Sequence, residues 1–179
     1  MLYKLVVLIF TAFPFFALAE VLLKFPFEIV NGAPVIKATI DGQEAKLLLD
    51  LGGAGELSLK QSFVVRASLK KMGSEETSIN ASGEWGRSGT YRVSSLASGE
   101  VHEENLIASV WNSGSDADGY LGIGYMGKFR IVFDYPSREL RLYRRSMTDP
   151  SITQCDGKPI PVKIYGTLIY TEAKTDFGT

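Results

Sequence analysis

Hydrophobic positions in this 179-residue chain recur mostly at intervals of two, in short runs closed by turn residues. Beyond residue 19, "FEIV" ends at Asn31-Gly32, "VIKATI" ends at Asp41-Gly42, and "EAKLLLD" follows. An Asp-Gly pair between two strand-like runs predicts a β-hairpin, because both turn positions favour positive φ. Residues 60–72, "KQSFVVRASLKKM", predict one short helix. The polar, glycine-rich "SEETSINASGEWGRSG" predicts a mobile loop or hairpin tip. "TYRVSSLASGEVHEENLIASV" predicts a second hairpin turning near Ser98-Gly99, and "SGSDADG" a loop. In "KFRIVFDYPSRELRLYRR" the alternation of Phe129, Ile131, Phe133 and Tyr135 resumes at Leu140 and Leu142 after a turn at Pro136-Ser137. Residues 146–159 predict a linker. The sum is an all-β domain of many short strands, a small barrel or sandwich, with no alternation of strands and helices.

Composition adds bounds. The chain is 45% hydrophobic, enough for a core, and its 18 glycines fit frequent turns. A formal net charge of −1 gives no electrostatic reason to expect nucleic acid or an anionic membrane surface as partner. The N-terminus carries Lys4 and then the apolar "LVVLIFTAFPFFALA", ending in Ala17-Leu18-Ala19. This is the pattern of a signal peptide spanning residues 1–19, followed by an exported domain, periplasmic or secreted. Later runs are too short to cross a membrane. Cys155 is the only cysteine, so neither an intramolecular disulfide nor a cysteine metal cluster can form.

Candidate chemistry is sparse. Gly122-Ile123-Gly124-Tyr125-Met126-Gly127 fits G-x-G-x-x-G, but that fingerprint needs a preceding strand and a following helix. A polar loop before it and the alternating "FRIVFDY" after it set dinucleotide binding aside. Asp116-Ala117-Asp118-Gly119 begins like a calcium loop, yet Lys128 stands near where the closing glutamate belongs. His102, the only histidine, lacks the second histidine of a zinc motif and sits in a strand-like run. No metal and no cofactor are expected. Asp50 remains: three leucines deliver it to "LGGAG", where Gly52 and Gly53 let backbone N–H groups turn toward a carboxylate at the edge of the core.

"LLLDLGGA" resembles the hydrophobic-hydrophobic-Asp-Thr-Gly-Ala motif of aspartic peptidases, the retropepsin-like ones above all, and "DGYLGIGYMGKFRIVFDYPSRELRLY" resembles their second half. The resemblance spans residues 27–144. It implies a small closed barrel of the acid-protease type, with one or two short helices, over residues 20–145. Asp50 would be a catalytic acid in the turn Leu51-Gly52-Gly53-Ala54, Leu121-Gly122 the structural loop beside it, and Glu84-Trp85-Gly86 the flap over a polypeptide substrate or ligand. Such a site uses two aspartates, so a homodimer is implied, or a second lobe. The chain departs from the motif at Leu51, where the family has Thr or Ser, at Gly53, where it has Ala, and at Ala54, where a hydroxyl supports the aspartate. In the tail, Ile164-Tyr165-Gly166 echoes Ile40-Asp41-Gly42, and Asp176-Phe177-Gly178 echoes Asp50-Leu51-Gly52. Residues 146–179 therefore read as a linker and the start of a second lobe with Asp176 as second acid, or as a chance match. Three functions stay open: a peptidase, a non-catalytic peptide-binding module of the same fold, and a truncated remnant.

Overall fold

A computed structural model describes residues 21–79, 85–110, 115–144, 160–165 and 168–172. The proposed signal segment, Glu84, Cys155, residues 146–159 and Asp176 lie outside the described residues.

The first hairpin joins β3 (Ala33–Ile40) to β4 (Gln43–Asp50) through Asp41 and Gly42, both at positive φ (45° and 82°). That conformation twists the turn as its strands twist. The turn is also tied to the far side of the sheet. The Asp41 carboxylate accepts the N–H of Ser95 at 2.7 Å and of Ser94 at 3.2 Å, and the Asp41 N–H donates to Ser95 C=O at 3.0 Å.

Ser94 and Ser95 lie on β7 (Trp85–Ser98), which forms a hairpin with β8 (Val101–Val110) turning at Gly99-Glu100. β3 pairs with β7 at Thr39–Ala97 and Ile40–Leu96. With β5 (Leu57–Leu59) and β9 (Gly119–Gly122), this closes a six-stranded ring, β3-β4-β9-β5-β8-β7. β2 (Glu28–Val30) extends it beside β3, and β6 (Lys70–Ile79) beside β7. The expected all-β closed barrel is present.

A three-stranded sheet, β1-β11-β10, packs onto the ring; its strands are Leu23–Pro26, Glu139–Tyr143 and Arg130–Asp134. Alternate residues of the strands fill one core. Ile36, Ile40, Leu47, Leu49, Leu57, Leu59, Val93 and Leu121 come from the ring, and Phe25, Leu140 and Leu142 from the small sheet.

One local expectation changes. The helix is shorter than 60–72: α1 spans Gln61–Arg66 and buries Phe63 and Val64. Ser68 then turns the chain at φ 51°, Leu69 enters the core, and β6 begins at Lys70. Of the two alternatives for the polar stretch after it, the structure has the hairpin, with β6–β7 register running from Lys70–Arg92 to Ile79–Trp85 around a bulge between Lys71 and Glu75. A ribbon with solvent on both faces has no apolar alternation to betray it. In the tail, β12 (Lys163–Tyr165) pairs with β13 (Leu168–Tyr170) as an antiparallel hairpin.

The Asp41 link makes a prediction about ring closure. Asp41→Ala removes the acceptor of two backbone N–H groups and is expected to cost about 1–3 kcal/mol. Asp41→Asn, which keeps an acceptor and tolerates positive φ, should cost less. Urea denaturation midpoints check the order; equal midpoints for Asp41→Ala and the parent would contradict it.

Candidate functional site

Asp50 ends β4, and its position is set by a parallel pairing with β9 that runs from Leu47–Gly119 to Asp50–Gly122. Leu47 and Leu49 point into the core, so Leu48 and Asp50 face the other way. The carboxylate is half-buried at the rim. Its Oδ1 accepts the Gly52 N–H at 2.8 Å, and the backbone carbonyl of the same residue accepts the Gly53 N–H at 3.2 Å. Among the described residues, no hydrogen bond engages Oδ2.

The turn is locked from below by the segment that follows β9. Ile123 N–H donates to Gly53 C=O at 2.8 Å, and Gly122 N–H to Glu56 C=O at 3.0 Å. Contact is backbone on backbone. A Cβ at Gly122 would lie 2.2 Å from Gly55 O, and one at Gly124 2.8 Å from Gly55 C. The context of G-x-G-x-x-G therefore differs from expectation. A strand does precede it and a helix does follow, but α2 (Ile123–Met126) is a single turn. Gly122 and Gly124 hold the Asp50 turn where a nucleotide motif would hold phosphate, and the close fit leaves no room for one there.

The structure thus brings Asp50, Leu51, Gly52, Gly53, Ala54, Leu121 and Gly122 together. Leu51 is partly buried and packs against the core, while Ala54 is exposed. Gly53 has its own reason to lack a side chain, since a Cβ would come 2.4 Å from the Tyr120 ring. Trp85 and Gly86 open β7 at the end of the β6–β7 hairpin, with Trp85 75% exposed. Some other carboxylates have structural partners. Asp118 accepts the Lys46 N–H at 2.9 Å and pairs with Arg66 at 2.9 Å. His102 lies exposed on β8 near Glu104. Among the described residues, no three His, Cys, Asp or Glu side chains are grouped to hold a metal ion. A groove of about 530 Å³ lies on the outside of the first hairpin, lined by Lys37, Thr39, Glu44, Lys46, Ser98 and Asp118; it does not include Asp50.

Sequence reasoning missed Tyr120. Burial raises its hydroxyl pKa; a hydrogen bond with Ser58 opposes the shift, and the negative charges of Asp50 and of Glu76 on β6 add to it. Tyr120 therefore lies within electrostatic reach of both the turn and the β6–β7 hairpin. Its one advance signal was its place next to Leu121-Gly122.

The aspartyl protease family profile matches residues 36–125, which hold Asp50, the β6–β7 hairpin and β9. No curated protein sequence matches this protein significantly. Among solved structures, a retropepsin-like aspartic protease from Rickettsia conorii is similar at 19% identity, with 68% of this chain and 89% of that one covered and a TM-score of 0.49. The retroviral protease-like domain of Ddi1 from Leishmania major is similar at 11% identity, with 63% and 95% covered and a TM-score of 0.40. The family match covers just over half of the chain, including the acid, the turn and the loop that locks it: the chain belongs to the aspartyl protease family, and its six-stranded ring is the small closed barrel expected of retropepsin-like members.

Proposed function

We propose that this protein is an exported aspartic-type peptidase lobe, hydrolysing peptide bonds through a water held between Asp50 and a second aspartate. The observation that carries this reading is the state of Asp50. One carboxylate oxygen is fixed by the Gly52 N–H, and the other has no partner among the described residues. A carboxylate so oriented can take a proton from water once a neighbouring acid holds a shared one. The second acid is Asp50 of another copy, or Asp176 if the tail completes the site. The β6–β7 hairpin closes over an extended polypeptide. No cofactor takes part.

A second reading has its own support. Leu51 buries a side chain where a cross-axis hydroxyl would sit, and Ala54 gives the acid no hydroxyl. Both favour a module that binds a peptide in the cleft without cutting it.

Three measurements test these readings. Cleavage of an unstructured protein by the purified protein should be strongest in acid and fall toward neutral pH as both members of the dyad ionise. Asp50→Asn should abolish turnover. Leu51→Thr should raise it if two copies already associate. Turnover surviving Asp50→Asn would remove Asp50 from the mechanism, whereas peptide binding without turnover at any pH would establish the second reading.

Export predicts a mature N-terminus at Glu20, read by mass spectrometry; a mature protein retaining Lys4 contradicts it. If residues 160–179 open a second lobe, limited proteolysis should trim the protein to near residue 150 and leave the barrel intact. Protection of the tail equal to that of the first hairpin would instead make it part of this lobe.

A further inference from the structure

Five neighbouring strands each contribute one hydroxyl to a cross-strand row, joined by hydrogen bonds at three steps and by strand register at the fourth. Tyr120 of β9 is the register partner of Ser58 of β5, and their hydroxyls are hydrogen-bonded. Ser58 is the register partner of Ser109 of β8, with the two Oγ atoms 2.8 Å apart. Ser109 is the register partner of Thr90 of β7. The Thr90 Oγ1 lies 2.6 Å from the Ser74 Oγ of β6 and also donates to the Ser74 C=O at 3.1 Å. The row starts beside Leu48, the β4 residue paired with Tyr120, two positions before Asp50.

The row lies on the same side of the sheet as Asp50. Leu57, Leu59 and Ala108 belong to the core, so Ser58 and Ser109 point away from it. They are nonetheless 1% and 7% exposed, and Thr90 is 6% exposed. The Asp50 turn helps cover them. A Cβ at Gly55 would lie 3.2 Å from Ser58 Oγ and 3.7 Å from Ser109 Oγ, and Gly53 rests on the Tyr120 ring. At the other end, Ser74 lies in the β6 bulge, and Glu76 two residues on is close enough for its charge to reach Tyr120.

Buried hydroxyls, here those of Ser58, Ser109 and Thr90, are costly unless each is satisfied, and satisfied networks fix geometry; Tyr120 is partly buried and Ser74, at the far end, is exposed. We propose that Tyr120, Ser58, Ser109, Thr90 and Ser74 are positioning residues that seat the Asp50 turn and tie it to the β6–β7 hairpin, taking over the support that Leu51 and Ala54 lack. The proposal rests on the reading of Asp50 as the reactive acid. It assigns the hydroxyls no direct part in bond cleavage.

Native-state amide exchange, followed residue by residue by NMR, tests it without substrate. Thr90 is three strands from Tyr120, roughly 14 Å at ordinary strand spacing. Sites so far apart normally act independently. Thr90→Val keeps the side-chain shape and removes the hydroxyl. It is expected to speed exchange of the Gly53 and Ile123 amides at least tenfold, with less than twofold change in β10 and β11, and Thr90→Ser should restore the parent rates. Tyr120→Phe, a milder change, is expected to do the same to the amides of Ser74 and Thr90. No acceleration at Gly53 in folded Thr90→Val, or in its place none at Thr90 in Tyr120→Phe, overturns the proposal. Equal acceleration everywhere also overturns it, since that is general destabilisation. Turnover surviving Asp50→Asn would instead unseat the reading of Asp50 and leave the exchange result standing.

Discussion

A parallel pairing only four residues long decides where the acid of this protein stands. β4 and β9 run side by side from Leu47–Gly119 to Asp50–Gly122, and the turns that leave them press together through backbone atoms alone. Parallel strands need a crossover, and here it includes β5, α1 and the β6–β7–β8 meander. The hairpin proposed to close over the cleft is thus built into the connection that places the acid. A contact between residues so distant in sequence forms only after much of the ring has assembled. Loss of one strand from that ring would remove the floor under Asp50 as well as part of the core.

Electrostatics then limits what one lobe can do. Asp50 stands at the rim with one fixed oxygen, a position that a single carboxylate occupies at little cost because water reaches it. A second carboxylate within about 4 Å would be opposed by about 4 kcal/mol at an effective dielectric near 20, unless the two share a proton. Pairing and proton uptake are therefore one event. On the proposed reading, the chemistry belongs to the pair rather than to one lobe.

Much of this was legible in the sequence. Asp41-Gly42 marked the first hairpin, because few residues accept two positive φ values in succession. Three leucines before Asp50 marked a strand end at the core's edge. Ring closure was not legible, since the Thr39–Ala97 and Ile40–Leu96 pairs are remote in sequence and carry no motif. The β6–β7 ribbon could be read as a loop or a hairpin tip because neither face is apolar. Gly122 and Gly124 were read against a nucleotide fingerprint; their real partners, Gly53 and Gly55, carry no side chain to announce the contact.

The hydroxyl row was hidden for a different reason. Ser58 between Leu57 and Leu59, and Ser109 beside Ala108, look like the solvent face of half-buried strands, and only cross-strand register reveals that they form a line. That line bears on the choice between a peptidase and a binding module. In the motif that this turn resembles, the threonine hydroxyl bonds across a two-fold axis, so that bond exists only with a partner present. The row's hydrogen bonds run between strands of one lobe and need no partner. Leu51 adds apolar burial to the same end. On the proposal made above, the lobe's own strands supply the support of the turn. The missing threonine therefore weakens the case for a hydroxyl-locked dimer more than it weakens the case for an ordered acid at Asp50.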